Sequence, residues 1–107
     1  MSIGQLRHRL SPQAPTATAD SYGGRTIVWT DVVTLWGRID SLRGAEQLHG
    51  MQLGERVTHR ITIRFREDVS AVQRLRFGSR IFKIQSVLDR DGRRRWLELL
   101  CEEEVAP

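Results

Sequence analysis

The sequence predicts a mainly β fold, a small antiparallel β-barrel or sandwich with one short helix or long loop insert. Three observations predict it. Residues 56–66 alternate between a largely apolar face and a face of arginines and threonines, the signature of a half-buried strand. Residues 26–40 are dense in β-branched and aromatic residues. Two further alternating runs, 80–88 and 94–102, flank Asp89-Arg90-Asp91-Gly92, and Asp-Gly supplies the positive φ that tight hairpins need.

Taken in order, Leu6, His8 and Leu10 alternate with Arg7 and Arg9, a short strand signal. Ser11–Gly24 holds two prolines, two glycines and small polar residues, and reads as an extended loop or arm. Its fourteen residues are long for a connection in a compact domain. An extended stretch ends near Thr30, and a strand follows from about Val32 to Ile39, with Val33, Leu35, Gly37 and Ile39 on one face. Thr34, Trp36 and Arg38 take the other face. Gly37 inside this strand signals a bulge or a close backbone approach.

Residues 42–55 differ in character. Ala45, Leu48, Met51 and Gln52 have helical spacing, while Gly50 and Gly54 oppose a helix; a short helix and a mobile loop remain alternatives for this insert. The strand at 56–66 then places Val57, His59, Ile61, Ile63 and Phe65 inward. Val72–Phe77 is a short strand, Gly78-Ser79 a turn, and Arg80–Leu88 a strand with Phe82, Ile84 and Leu88 inward. The last strand, about Arg94 to Glu102, turns Leu97, Leu99 and Cys101 inward, and an acidic tail follows.

The 107 residues fit a single domain, 1–107, and 39% hydrophobic with 28% charged residues is ordinary for a soluble globular protein. No apolar run approaches the roughly 18–20 residues of a membrane span, and the N-terminus lacks the apolar stretch of a signal peptide. Cys101, the one cysteine, has no intrachain partner, which fits a reducing compartment. The net charge of +4 comes from sixteen arginines and one lysine, Lys83, against thirteen acids. It permits contact with nucleic acid without demanding it.

No catalytic constellation emerges. His8, His49 and His59 form no metal-ligand pair, and His59 on an apolar strand face reads as a buried or interface histidine. Cys101 reads as core rather than nucleophile. Asp89 and Asp91 read as a solvated turn, since Arg90 and Arg93–Arg95 oppose cation binding. Neither phosphate-loop pattern occurs. The expectation is no catalytic residue, no metal and no cofactor.

What remains is surface. Arg56, Arg60, Arg64 and Arg66 project from the strand side opposite the core, and Arg93, Arg94 and Arg95 form a second basic cluster. A solvated edge and a surface for acidic groups or DNA phosphate are the two readings. Among the three tryptophans, Trp36 and Trp96 fall on the polar faces of their strands, as they would where the outer face meets another subunit. Basic charge also permits a small nucleic-acid-binding barrel, but the stacked aromatics beside basic residues that such modules place on one sheet face are not evident.

Several segments together resemble the bacteriophage head–tail joining proteins, also called head closure or stopper proteins. They are Gly4-Gln5-Leu6-Arg7-His8-Arg9-Leu10, Tyr22-Gly23 before Trp29, Trp36-Gly37-Arg38-Ile39 and Gly44-Ala45-Glu46. Thr58-His59-Arg60-Ile61-Thr62-Ile63-Arg64-Phe65-Arg66 is the most specific, followed by Arg80-Ile81-Phe82-Lys83-Ile84 and Leu97–Glu102. The resemblance runs through nearly the whole chain in order. It departs at Pro12 and Pro15, which lengthen the early arm, and in the glycine-rich insert.

The resemblance implies a barrel subunit in a ring below the portal and adaptor, with double-stranded DNA passing through the lumen. Its partners would be the adaptor or portal ring above, tail terminator or tail tube proteins below and neighbouring copies, with no membrane. It implies a place in the connector of a phage, prophage or gene transfer agent particle, assembled in the host bacterial cytoplasm. The insert occupies the place of the family's stopper loop, which makes Arg43, Gly44, Glu46, His49, Gly50, Gln52 and Gly54 candidate gating residues. Tyr22, Trp36, Arg56, Arg60, Arg64, Arg66, Arg94 and Trp96 are the candidate subunit or partner contacts.

Overall fold

A computed structural model of the chain describes residues 6–19, 21–42 and 57–104. These form β1 (His8–Ala19), β2 (Arg25–Asp31), β3 (Leu35–Ser41), β4 (His59–Arg64), β5 (Arg74–Phe77), β6 (Arg80–Leu88) and β7 (Trp96–Glu103). No helix occurs among the described residues. The helix considered at 42–55 falls, after Leu42, outside them.

The strands run β2-β1-β3-β4-β7-β6-β5, all neighbours antiparallel, and β5 returns to pair with β1. Six strands therefore close a barrel, which removes every sheet edge along its wall. β2 is the additional strand.

β1 makes both the barrel and a projection from it. Its first residues pair with β3, from His8↔Gly37 to Leu10↔Leu35. Beyond them the same strand continues against β2, from Gln13↔Asp31 to Ala19↔Arg25. The register slips by one residue between the two pairings, at Val32–Thr34. β2 and β3 are thus two halves of one long arm of a hairpin. On its other side β1 meets β5 only over Ser11–Gln13. The outer half of the hairpin extends beyond the barrel, and the molecule measures 49 × 30 × 26 Å.

Of the two readings of 11–24, loop or arm, the structure has an arm built of strand rather than loop. Residues 11–19 belong to β1, and only the hairpin tip near Tyr22 is a turn. The prolines misled because each sits where a strand tolerates one. Pro12 lies at the register slip, where its carbonyl accepts the Val32 N–H at 2.8 Å. Pro15, out of phase with Pro12 by three residues, turns its missing donor toward the edge that β5 no longer covers.

The core fills the barrel. Leu10, Ile61, Ile63, Leu75, Phe82, Ile84, Leu97, Leu99 and Cys101 are buried and in mutual contact, each large side chain contributing about 1.5–3 kcal/mol. Gly37 is where backbones come close. A Cβ there would stand 2.5 Å from Leu10 Cδ1 and 3.2 Å from Ile63 Cγ2.

A second cluster, Leu42, Val57 and Leu100 with Leu88 against it, lies apart from that core. It overturns the inward placement of Val57 and Leu88. A bulge between Ile84 and Ser86 shifts β6 by one residue against β7. A one-residue shift reverses every side chain beyond it. Val87 therefore packs on the main core and Leu88 on the outer cluster. Leu42 and Val57 also frame the insert, whose base is closed by the Leu42 N–H donating to the Thr58 carbonyl at 2.9 Å.

Candidate interaction surface

The outer wall of β1, β3, β4 and β7 carries one continuous row. Arg9 pairs in register with Trp36. Trp36 precedes Gly37 and Arg64 follows Ile63, and Gly37 pairs with Ile63, so Trp36 and Arg64 take the next register position across β3 and β4. Arg64 pairs with Trp96. Leu10, Gly37, Ile63 and Leu97, the neighbours of these four, are buried, so alternation turns Arg9, Trp36, Arg64 and Trp96 outward. The Arg9 guanidinium lies 5.7 Å from the Trp36 ring centroid, and that of Arg64 lies 5.7 Å from the Trp96 centroid. Trp36 is 54% exposed.

At the same end of the barrel a cleft of about 550 Å³ opens beside the row. Leu6, Leu35, Trp36 and Phe65 are among its walls, with Arg64 and Arg66 at the rim. Arg94 lies over Phe65 at 4.9 Å and forms an ion pair with Glu67.

The predicted basic stripe is interrupted. Arg60 stands 4.0 Å from Asp40, which also binds Arg38 at 3.2 Å. Thr62 is only 4% exposed, and it lines a small hollow with Arg90, Asp91, Trp96 and Glu98. Arg66 is held by Asp68 through two hydrogen bonds of 2.9 Å, so among the described residues Arg64 is the member of the stripe without a carboxylate partner. Arg56 and the candidate gating residues lie outside the described residues.

The projecting hairpin is the second exposed surface. Its tip carries Tyr22, 96% exposed. Ile27 and Val28, on opposite faces of the ribbon, are both exposed. A two-stranded ribbon with both faces in water holds little stability of its own. A polar chain ties its root to the barrel. Arg74 Nε donates to Gln13 Oε1 at 2.8 Å, Gln13 Nε2 donates to Asp31 Oδ1 at 2.8 Å, and Arg76 donates to Asp31 Oδ2 at 3.2 Å. The Gln13 and Arg76 hydrogen bonds hold the Asp31 carboxyl below its usual range. Nothing in the composition marks this chain, because it depends on the register Asp31–Gln13–Arg74 across three strands.

Cys101 and His59 are structural. Burial pushes the Cys101 thiol far up from its ordinary value, so it stays protonated. His59 meets the Phe82 ring edge-on, its Nδ1 2.9 Å from Thr58 Oγ1. Among the described residues no group of His, Cys, Asp and Glu is arranged to hold a metal ion. The Arg–Trp row also corrects one expectation: aromatic and basic side chains do share a sheet face, although arginines cover the rings.

Comparison with known proteins decides the family. The model of the phage head completion proteins matches residues 1–104. The chain belongs to the phage head completion protein family. Membership bears out the resemblance to head–tail joining proteins and makes the chain a structural component of a phage or phage-like particle. Solved structures share the fold of this chain, two of them as follows. The solution structure of protein SF1141 from Shigella flexneri 2a is 30% identical, each chain is covered over 100%, and the TM-score is 0.77. A chain from the virion of a native gene transfer agent particle is 28% identical, with 94% of this chain and 97% of that one covered, at a TM-score of 0.68. No curated protein matches the chain.

Proposed function

We propose that this head completion protein is a ring subunit of the head–tail connector, joining the DNA-filled head to the tail and helping to retain the packaged DNA. The whole-chain likeness to a protein of a gene transfer agent virion carries this reading. The surfaces described above support it. A ring subunit must meet neighbours on both flanks and rings above and below. The barrel offers a basic aromatic wall, and the hairpin offers a ribbon too exposed to be useful to an isolated subunit. In this reading the ribbon lies against an adjacent copy and becomes fully ordered on assembly.

The insert, with Arg43, Gly44, Glu46, His49, Gly50, Gln52 and Gly54, faces the lumen and gates DNA. A weakly charged gate does not grip a moving polyanion, whereas a ring of arginines would bind it tightly and salt-dependently. Adaptor or portal above and tail terminator or tail tube below are the partners.

Electron microscopy of particles from a strain lacking the gene tests the proposal. It predicts unattached tails and heads that are empty or leak DNA. Normal tailed, DNA-filled particles would refute it. The alternative, a small basic nucleic-acid-binding barrel, gains from the row of Arg9, Trp36, Arg64 and Trp96. Salt-dependent binding of free DNA to the purified protein would favour it.

A further inference from the structure

We propose that the Arg9–Trp36–Arg64–Trp96 row and the cleft beside it form the docking surface for an acidic segment of a different connector protein, one apolar side chain of which enters the cleft. This deepens the joining reading and rests on it.

Charge selects the occupant. Most arginines of the described chain are matched internally, Arg38 and Arg60 by Asp40, Arg66 by Asp68, Arg76 by Asp31, Arg80 by Glu103, Arg90 by Glu98, Arg94 by Glu67 and Arg95 by Asp91. Arg9 and Arg64 are among those that are not, with Arg7, Arg25, Arg74 and Arg93, and only Arg9 and Arg64 of these share the row. Each of these two lies on a tryptophan instead, which holds the guanidinium in place and leaves its donors for an incoming carboxylate. Trp and Arg are the residues that dominate interface energetics. Here they alternate across four adjacent strands.

The same pairing argues against a second copy as occupant. Most carboxylates of the described residues are already engaged in those internal pairs. Among the described residues Asp89, Glu102 and Glu104 are left, and they offer no matching row: Asp89 Oδ2 accepts the Arg94 N–H, and Glu102 lies across from Lys83. The chain's net +4 points the same way.

The cleft discriminates between protein and DNA. Its walls are Leu6, Leu35, Trp36 and Phe65 with Ile63 beneath. The phosphate backbone of a duplex has no apolar group to fill it, whereas a peptide can place a leucine or phenylalanine there and carboxylates over the arginines.

Two measurements test this. In the purified protein, a short glutamate-rich peptide with one central phenylalanine is titrated while the indole N–H signals of Trp36 and Trp96 are followed by NMR. Both signals are expected to move. The affinity is expected to fall about tenfold or more in Arg64→Glu, on raising the salt, and when serine replaces the phenylalanine. Signals that respond to a DNA duplex and not to the peptide would overturn the proposal, as would binding indifferent to the phenylalanine.

In the particle-producing strain, the Arg9→Glu/Arg64→Glu protein is compared with the gene deletion. The two exposed changes leave the fold within about 0.5 kcal/mol of the original, which thermal unfolding checks. Tailed particles are expected to drop to the deletion level, and a suppressor replacing an acidic residue of a connector protein by a basic one is expected to restore them. A defective deletion with a normal double variant would overturn the docking surface alone. A normal deletion would remove the joining reading itself.

Discussion

The guanidinium of Arg74 lies over the Trp29 ring, 4.3 Å from its centroid, and joins the projecting hairpin to the barrel. Arg74 belongs to β5 and Trp29 to β2, two strands that share no ladder and each pair with β1. The contact runs beside the chain Arg74–Gln13–Asp31–Arg76.

Gln13 is the middle of that chain and is 8% exposed. Gln13→Ala removes two side-chain hydrogen bonds, at a cost of about 1 kcal/mol. Hydrogen exchange should show the amides of β2 losing protection before those of β4 and β7. Uniform loss across all strands would contradict a local clamp.

Gly37→Ala should cost about 1–3 kcal/mol by overpacking, read from urea unfolding. The added methyl would meet Leu10 Cδ1 at 2.5 Å, and Ile63 Cγ2 and the Thr62 carbonyl at 3.2 Å hold it from the other side. Gly37→Ala combined with Leu10→Ala should lose less than the sum of the two single changes, because the truncated side chain vacates the space the methyl needs. A double variant that loses the sum of both single changes would show that the two residues do not compete for one volume.

Part of this architecture is readable in the residues and part is not. Arg80–Leu88 is bounded as expected because alternation runs between Gly78-Ser79 and the Asp-Gly turn, both of which need positive φ at a glycine. β1 was hidden by Pro12 and Pro15, since a proline marks a loop unless one knows that the strand has a free edge at that point. The bulge after Ile84 leaves no residue signature, so Leu88 could not be assigned to the outer cluster. Closure of β1 on β5 joins residues sixty or so apart, and no local pattern encodes it. The outward tryptophans were legible from strand parity. Their alternation with Arg9 and Arg64 was not, because it arises only when four strands come into register.

Stability should decline as the pH falls below the free-histidine value. Burial lowers the His59 pKa from 6.5, with Arg80 acting in the same direction and Glu103, 3.9 Å away, opposing. The unfolded chain therefore takes up its proton first. Stability is complete above about pH 6.5 and falls as the pH drops from there toward the folded value. Urea midpoints between about pH 7.5 and about pH 5.5 should show this slope, and His59→Gln should reduce it. An unchanged slope in His59→Gln would assign it to other groups.

The ribbon can be separated from the barrel by substitution at its exposed positions. Ile27→Asp and Val28→Asp touch no core residue, so unfolding of the isolated protein should shift by no more than about 0.5 kcal/mol. Assembly into particles should fail if the ribbon lies against an adjacent copy. Urea unfolding of the purified protein and counts of tailed particles from the same strain measure the two effects. Normal particle counts with both aspartates present would show that the ribbon meets no neighbour.

The measurement that bears most directly on the whole account is a cryo-electron microscopy reconstruction of the head–tail junction of the native particle. The account predicts a ring of these barrels between head and tail, each hairpin lying on the next copy and the 42–55 inserts pointing into the DNA channel. Barrel density elsewhere in the particle, or a junction complete without it, would contradict the connector role.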